Sequence, residues 1–172
     1  IFLAGTSAYL SGTKKSNTKD ISIILFTRGL WLIFIEIAVV NFAWTFHATY
    51  SYRLLQVIWA IGISMVVLSA LVYLPIKYIL GIGLLLVFGH NLLDSVSANG
   101  TSTSDLIWYT LHQPKFLVLE SGKVVNFVYP VLPWIGLMSL GYVFGTFYKQ
   151  DFDPDKRRKW LLWIGTSLIL LF

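Results

Sequence analysis

The chain has 172 residues, of which 56% are hydrophobic and 12% are charged. Soluble domains carry roughly 25% charged residues, so this composition excludes an ordinary soluble domain and indicates an integral membrane protein. Long apolar runs favour a helical bundle over a membrane barrel, whose strands alternate in short segments. The chain has no cysteine, which excludes disulfides and thiolate chemistry. The net charge of +5 is carried by loops in which it sets topology, so we expect no nucleic-acid partner.

The hydrophobic runs, taken in chain order, predict an all-α fold: one polytopic transmembrane helical bundle over residues 1–172, with about four complete spans. Asn17 or Thr18 is expected to cap the second helix, and Asp153 followed by Pro154 is expected to begin the last. The chain starts without methionine and stops inside an apolar run, so we expect a fragment with truncated end helices. The predicted helical segments are 1–12 (partial), 21–44, 54–74, 76–93, 127–148 and 160–172 (partial).

The longest predicted connection runs over about 95–126. Inside it, the segment 105–112 (DLIWYTLH) is expected to form a short helix at the membrane surface, because Trp and Tyr favour the headgroup region. Its last residue, His112, is expected at the surface or the interface. Further along, Gly141 and Gly145 form a small-xxx-small pair, which predicts close contact with another helix.

Basic residues fall unevenly on the alternate sides of the predicted helices. The poorer side holds only Arg53, Lys115 and Lys123. The richer side holds Lys14, Lys15, Lys19, Arg28, Lys77, Lys149, Lys156, Arg157, Arg158 and Lys159. By the positive-inside rule, the richer side faces the cytoplasm and contains the loops 13–20, 74–78 and 149–159.

The apolar run at 76–94 ends in His90, Asn91 and Asp94. On an α-helix, His90 and Asp94 are four residues apart and share a face. A carboxylate that orients an imidazole lets it take a proton from an amine or a hydroxyl. We therefore interpret His90 and Asp94 as the candidate catalytic pair, with Asn91 as a substrate contact. The alternative is that a helix simply ends here, with its polar residues among headgroups and water.

Three further polar residues, Glu36, Asn41 and Gln56, interrupt apolar segments. A carboxylate inside a membrane must be paired or protonated, so Glu36 is interpreted as a proton site or a substrate contact. Asn41 and Gln56 are further substrate-binding candidates in the core. The alternative for Glu36 is a buried structural pair with Arg28, Arg53 or Asn41. No HExxH motif or Cys/His cluster occurs in the sequence, so no metal site is expected.

Five blocks of the sequence follow one another in a characteristic order: FLAGTSAYL (2–10), TRGLWLIFIEIAVVNFAW (27–44), LQVIWAIGISM (55–65), GHNLLD (89–94) and YPVLPWIGLMSLGYVFG (129–145). Together they resemble bacterial members of the heparan-alpha-glucosaminide N-acetyltransferase catalytic-domain family, which are transmembrane acyltransferases. The resemblance covers essentially the whole chain. The histidine thought essential in the family lies just before the helix that contains the first block, so we expect it upstream of residue 1.

The resemblance implies an enzyme of the bacterial inner membrane, surrounded by membrane lipids. It would move an acetyl or other short acyl group from cytoplasmic acetyl-CoA to a glycan-like or small amine or hydroxyl acceptor on the far side. Arg28, on the basic side, would then face the acyl-CoA. Two alternatives remain open. One is a proton-coupled transporter or flippase for a polar solute, in which Glu36 and His90 relay protons. The other is a non-enzymatic membrane scaffold.

Overall fold

A computed structural model describes residues 1–13, 17–46, 49, 51–119 and 121–171 of the chain. Lys14 and Lys15 of the predicted basic loop lie outside the described residues. The α-helices are α1 (Phe2–Thr13), α2 (Thr18–Ile35), α3 (Asn41–Thr45), α4 (Val57–Leu71), α5 (Ile76–Gly89), α6 (Thr103–Leu111), α7 (Leu132–Phe144) and α8 (Pro154–Leu171). A π-helical turn (Glu36–Val40) joins α2 to α3, and 3-10 turns follow α5 (His90–Leu93) and α7 (Gly145–Tyr148). The strands are β1 (Tyr52–Leu55), β2 (Lys115–Val118) and β3 (Val124–Phe127).

Side-chain caps fix the starts of α2 and α6. The Asn17 side-chain oxygen accepts a hydrogen bond from the backbone N–H of Lys19 at 3.0 Å, which confirms one of the two predicted caps of α2. Helix α6 confirms the short helix expected at 105–112. It begins with a capping box, in which the side chains of Ser102 and Asp105 each accept a hydrogen bond from the backbone N–H of the other.

Asp153 caps α8, and Pro154 is the first helical residue, as predicted. Asp153 Oδ1 accepts hydrogen bonds from the backbone N–H groups of Lys156 and Asp155, which hold the pKa of Asp153 below its usual value of 3.8. A lowered folded-state pKa adds stability above the unfolded value, and that stability is lost as the pH falls through the folded value. We expect Asp153→Ala to lower the melting temperature at pH 7, and the gap from wild type to narrow as the pH falls below 3.8. Asp151→Ala, the control, should not lower the melting temperature at pH 7.

Two helical segments are long and apolar enough to cross a membrane. They are Thr18–Thr45, with 28 residues, and Ile76–Leu93, with 18 residues, and they correspond to the predicted spans 21–44 and 76–93. The apolar helix α4 has 15 residues and is shorter than a typical span. Within the described part of the chain, the structure therefore supports two possible membrane helices, and the predicted set of four complete spans is not confirmed.

The chain is mostly helical, as predicted, but it also contains a three-stranded sheet in the order β1-β3-β2, which the prediction of an all-α fold missed. Strands β2 and β3 form an antiparallel hairpin, and β1 pairs with β3 in parallel, with Tyr52 opposite Val124. The segments are rich in β-branched and aromatic residues, which favour a pleated surface. Consequently the predicted spans 54–74 and 127–148 each begin in a strand, and their helices start later, at Val57 and Leu132.

The sheet and α6 together form a layer over one end of the bundle, which we call the cap layer. Tyr109 of α6 is fully buried against Leu55, Leu117 and Phe127, which come from the three strands. The backbone N–H of Val131 then donates to the carbonyl oxygen of Thr110 at 2.9 Å, which ties the approach to α7 to the end of α6. Strand β1 runs into α4 and β3 runs towards α7, so the cap layer is held at the end where these helices start.

Close helix crossings in the bundle rely on glycine. Gly29 of α2 and Gly62 of α4 face each other, and an added Cβ on either would approach the other's carbonyl oxygen to within 2.7 to 2.9 Å. An added Cβ on Gly141 of α7 would overlap the main chain of Phe2 in α1, and one on Gly145, in the 3-10 turn that follows α7, would approach the side chain of Tyr9. These contacts confirm the close helix approach predicted for the Gly141 and Gly145 pair.

Candidate functional site

The first cluster of polar residues surrounds the π-helical turn between α2 and α3. In this turn the backbone N–H of Asn41 donates to the carbonyl oxygen of Glu36, five residues earlier. The Asn41 side-chain amide donates to the same oxygen at 2.6 Å and to the carbonyl oxygen of Leu54 at 2.9 Å. Its side-chain oxygen accepts from the backbone N–H of Leu54. Asn41 thus pairs with the free edge of β1 as a neighbouring strand would, and it ties the helical segment Thr18–Thr45 to the cap layer.

Glu36 is fully buried at the start of α4. Its Oε1 accepts a hydrogen bond from the backbone N–H of Gln56 at 3.0 Å, and Gln56 is the residue that precedes α4. A carboxylate suits this position because the unpaired N–H groups of a helix start carry partial positive charge. Its other oxygen, Oε2, is buried and has no hydrogen-bond partner among the residues that the structure describes. The fold therefore brings together Glu36, Asn41 and Gln56, which were predicted separately, and leaves one carboxylate oxygen unmatched.

The alternative in which Glu36 forms a buried ion pair with Arg28 or Arg53 is not seen among the described residues. Arg28 lies eight residues before Glu36 on the same helix, a separation of about 12 Å along the axis. Arg28 instead lines a cleft of about 320 Å³ between α1 and α2, together with Ser7 and Ser11. The Glu36 carboxylate contacts backbone N–H groups instead, that of Gln56 through Oε1 and that of Trp59 nearby, so its contact with α4 needs no basic side chain.

A second, larger cleft of about 750 Å³ adjoins the first at the end of the bundle opposite the cap layer. The two clefts share Gly12 and Ile21. We call this end the basic end, because Lys19 and Lys77 lie there at the starts of α2 and α5, and Lys149 follows the 3-10 turn after α7. The larger cleft is lined by Tyr9, Leu10, Gly12, Thr13, Ile21, Tyr142, Tyr148, Lys149, Gln150 and Asp151. The hydroxyl groups and the Lys149 ammonium of the larger cleft lie next to the Arg28 guanidinium of the smaller cleft. Together these groups make this end suited to an anionic ligand.

The second polar cluster lies where α5 meets the cap layer. His90 Nδ1 lies 3.1 Å from the carbonyl oxygen of Leu86 and 2.9 Å from that of Val87, so the ring is turned back onto its own helix. Asp94 Oδ1 lies 3.0 Å from Nε2 of His112, which is the residue that follows α6. Asn91, the third predicted residue, is exposed.

Among the described residues, the predicted contact between His90 and Asp94 is replaced by a contact between Asp94 and His112. The reason is that α5 ends at Gly89 and the chain continues as a 3-10 turn. With three residues per turn, positions three apart eclipse each other and positions four apart diverge. The i, i+4 argument that joined His90 to Asp94 therefore does not apply to this segment.

His112 is the residue that the sequence interpretation missed. It was expected at the surface or the interface, but its side chain is only 7% exposed, and Nδ1 is buried without a partner in the described part of the chain. Its ring centroid lies 5.1 Å from the Trp108 ring and 6.3 Å from the His90 ring. The four-residue spacing of Trp108 and His112 was a signal that these rings share a face of α6.

In the described ranges, no group of three or more His, Asp or Glu side chains could hold a metal ion. The family model described as heparan-alpha-glucosaminide N-acetyltransferase, catalytic, matches residues 1–172. This match confirms the resemblance noted in the five sequence blocks. Comparisons with curated proteins and with solved structures found no match.

Proposed function

Because the chain belongs to the heparan-alpha-glucosaminide N-acetyltransferase catalytic family, we propose that it transfers an acetyl or short acyl group from acyl-CoA to a glycan-like amine or hydroxyl acceptor. Family membership indicates a transferase enzyme of the acetyltransferase type, associated with a membrane. In the proposal, the donor is acetyl-CoA supplied at the basic end, on the cytoplasmic side of the bacterial inner membrane. The acceptor meets the acyl group at the cap-layer end, on the opposite side.

The observation that carries this proposal is the pair of adjoining clefts at the basic end. CoA carries several phosphate oxygens, which bind well to guanidinium, ammonium and hydroxyl donors. Arg28 lines one cleft and Lys149 lines the other. The Lys149 ammonium lies 6.0 Å from the centroid of the Tyr9 ring. We assign this region to the acyl donor, with Arg28 contacting a CoA phosphate.

The acceptor end of the proposed site contains His90, Asn91 and Asp94. In this proposal His90 is the base nearest the acceptor, Asn91 is an exposed hydrogen-bonding group, and Asp94 supports the histidines. The cluster of Glu36, Asn41 and Gln56 lies at the junction of membrane helix and cap layer. There we propose that the unmatched Glu36 Oε2 accepts a hydrogen bond from a polar group of the substrate.

Acetyl-CoA binding to the purified full-length protein tests the donor assignment. We expect Arg28→Ala to raise the Kd about ten- to a hundredfold, because a hydrogen bond to a charged group is worth roughly 1.5–3 kcal/mol. Lys77→Ala is the matched control: it removes a cation at the same end, but from a different cavity, where Lys77 lies beside Tyr78. Equal affinities for wild type and Arg28→Ala would contradict the assignment of the cleft to CoA.

The buried, unmatched Oε2 of Glu36 also favours a second candidate function, a proton-coupled transporter or flippase for a polar solute. Such a protein would move its solute across vesicle membranes without any acyl-CoA. Flux that depends on a proton gradient and is lost in Glu36→Gln would support the transporter, whereas acyl transfer without solute flux would support the enzyme.

A further inference from the structure

Both candidate membrane helices carry a lysine where they begin at the basic end. Lys19 is the second residue of the segment Thr18–Thr45, and Lys77 is the second residue of the segment Ile76–Leu93. The Lys77 ammonium lies 5.0 Å from the centroid of the Tyr78 ring, and Tyr78 is 54% exposed. Lysines and exposed tyrosines at the end of an apolar helix are typical of the headgroup region of a membrane. The basic end is therefore the level at which both helices would meet lipid headgroups.

The start of α8 adds the densest group of cations at this end. This cationic run consists of Lys156, Arg157, Arg158 and Lys159. Arg157 is half-buried, with its guanidinium 5.9 Å from the centroid of the Tyr148 ring, whereas the other three cations are exposed. Among the described residues, no carboxylate lies within salt-bridge distance of the run. Over residues 149–159, five cations stand against three carboxylates, so positive charge remains in excess.

The stability of α8 does not explain the cationic run. The free N–H groups at the start of a helix carry partial positive charge, which repels cations. Asp153 attracts Lys156 and Lys159 electrostatically. However, Asp153 Oδ1 already accepts hydrogen bonds from the backbone N–H groups of Asp155 and Lys156. The run thus lies where the helix itself disfavours it, which indicates an anionic group outside the chain.

Two of these cations share a helix face with two tryptophans. The spacings of three and four residues between them place on one face Lys156, Lys159, Trp160 and Trp163. Trp160 is 55% exposed and Trp163 is 71% exposed, and no side chain that the structure describes in α8 is buried. Tryptophan favours the boundary between headgroups and acyl chains. This face therefore follows the order of groups in an anionic lipid, with cations first, indole rings next and apolar residues last.

We propose that this face of α8 binds an anionic phospholipid, with Lys156 and Lys159 contacting its phosphate group. Trp160 and Trp163 lie at the headgroup boundary, and the exposed apolar end of the helix contacts the acyl chains. A lipid fits better than a free phosphate, because no residue of this face lines either cleft at the basic end. The inference does not depend on acyl transfer, since it uses no residue of the proposed donor or acceptor sites.

Phospholipid binding to the purified full-length protein in a neutral detergent tests the proposal. We expect phosphatidylglycerol to bind more tightly than phosphatidylcholine at low salt. This preference should shrink at high salt, because salt screens exposed charges. Replacing both lysines, as Lys156→Gln with Lys159→Gln, should weaken phosphatidylglycerol binding about tenfold or more and leave phosphatidylcholine binding unchanged. Unchanged affinity for phosphatidylglycerol in this double variant would overturn the proposal.

The matched control is Arg53→Gln with Lys123→Gln, which removes the same charge from two exposed residues at the cap-layer end. This control should keep the wild-type affinity for phosphatidylglycerol. The lysine double variant should melt no lower than wild type in detergent without lipid, since cations at a helix start do not stabilise the helix. Equal losses of affinity in the two double variants would assign the binding to net charge and overturn the proposal.

Inorganic phosphate and acetyl-CoA distinguish a lipid site from a site for a free phosphate or for the acyl donor. Neither should compete with phosphatidylglycerol, and the lysine double variant should bind acetyl-CoA as wild type does. Competition by either compound, or a loss of acetyl-CoA affinity like that expected for Arg28→Ala, would overturn the proposal. Equal binding of the two phospholipids by wild type would also overturn it. Absence of acyl transfer would contradict the proposed function and leave the lipid site unaffected.

Discussion

Gly141→Ala is expected to lower the free energy of unfolding by about 3 kcal/mol, because overpacking of a tightly packed core typically costs 1–3 kcal/mol and here the obstacle is main chain. The new Cβ would overlap the carbonyl oxygen of Phe2, and a backbone atom cannot rotate away as the tip of a side chain can. Helices α1 and α7 would have to separate, which would also loosen the nearby contact of Gly145 with Tyr9. Thermal unfolding of the purified protein, followed in detergent by tryptophan fluorescence, measures the change.

Gly81→Ala provides the matched control, because Gly81 also lies inside a helix but an added Cβ there meets no atom within 4 Å. Alanine is the better helix former by about 1 kcal/mol, so this variant should unfold at the wild-type temperature or slightly above it. Equal melting temperatures for Gly141→Ala and Gly81→Ala would show that α1 and α7 do not cross as closely as the structure places them.

Glu36→Ala is expected to cost about 3 kcal/mol of unfolding free energy, because it leaves the buried N–H of Gln56 unpaired and opens a cavity. Glu36→Gln should stay within about 1 kcal/mol of wild type, since the glutamine oxygen can accept the same hydrogen bond. The two variants therefore separate the structural contact made by Oε1 from any role of Oε2.

Under the proposed function, Glu36→Gln should also lower acyl transfer at least tenfold while the protein stays folded. The reason is that the amide nitrogen replacing Oε2 cannot accept a hydrogen bond from the substrate. Steady-state acyl transfer and thermal unfolding, measured on the same preparation, distinguish a role of Glu36 in acyl transfer from a structural role. A folded Glu36→Gln protein with wild-type turnover would leave Glu36 as a structural support for the start of α4 only.

The sequence predicted the parts of the fold that depend on local chemistry. Apolar run length located the two candidate membrane helices, and short-range capping rules located Asn17 and Asp153 at the starts of α2 and α8. The sheet was not predicted, because its strands have four residues each and β1 pairs with β3 across a long stretch of chain. When only composition is considered, a short strand such as Tyr52–Leu55 cannot be distinguished from the apolar helix that follows it.

The candidate site shows the same division between local and long-range chemistry. Glu36, Asn41 and Gln56 were identified singly, because a polar residue in an apolar run is unusual wherever it falls. Their meeting depends on a π-helical turn and on the edge of a sheet, neither of which has a signal in sequence spacing. The Asp94 and His112 contact likewise joins two turns across a loop, and it replaced the local i, i+4 pair.

Acyl transfer across a membrane is the most direct test of the central claim. The full-length protein would be placed in liposomes in a known orientation, with labelled acetyl-CoA on the side of the basic end and glucosamine trapped on the side of the cap layer. The proposed function predicts label on the trapped amino sugar, with no transfer when acetyl-CoA is supplied only inside. Absence of label on trapped glucosamine and on every other amine or hydroxyl acceptor tried, from a protein that is folded in the membrane, would contradict it.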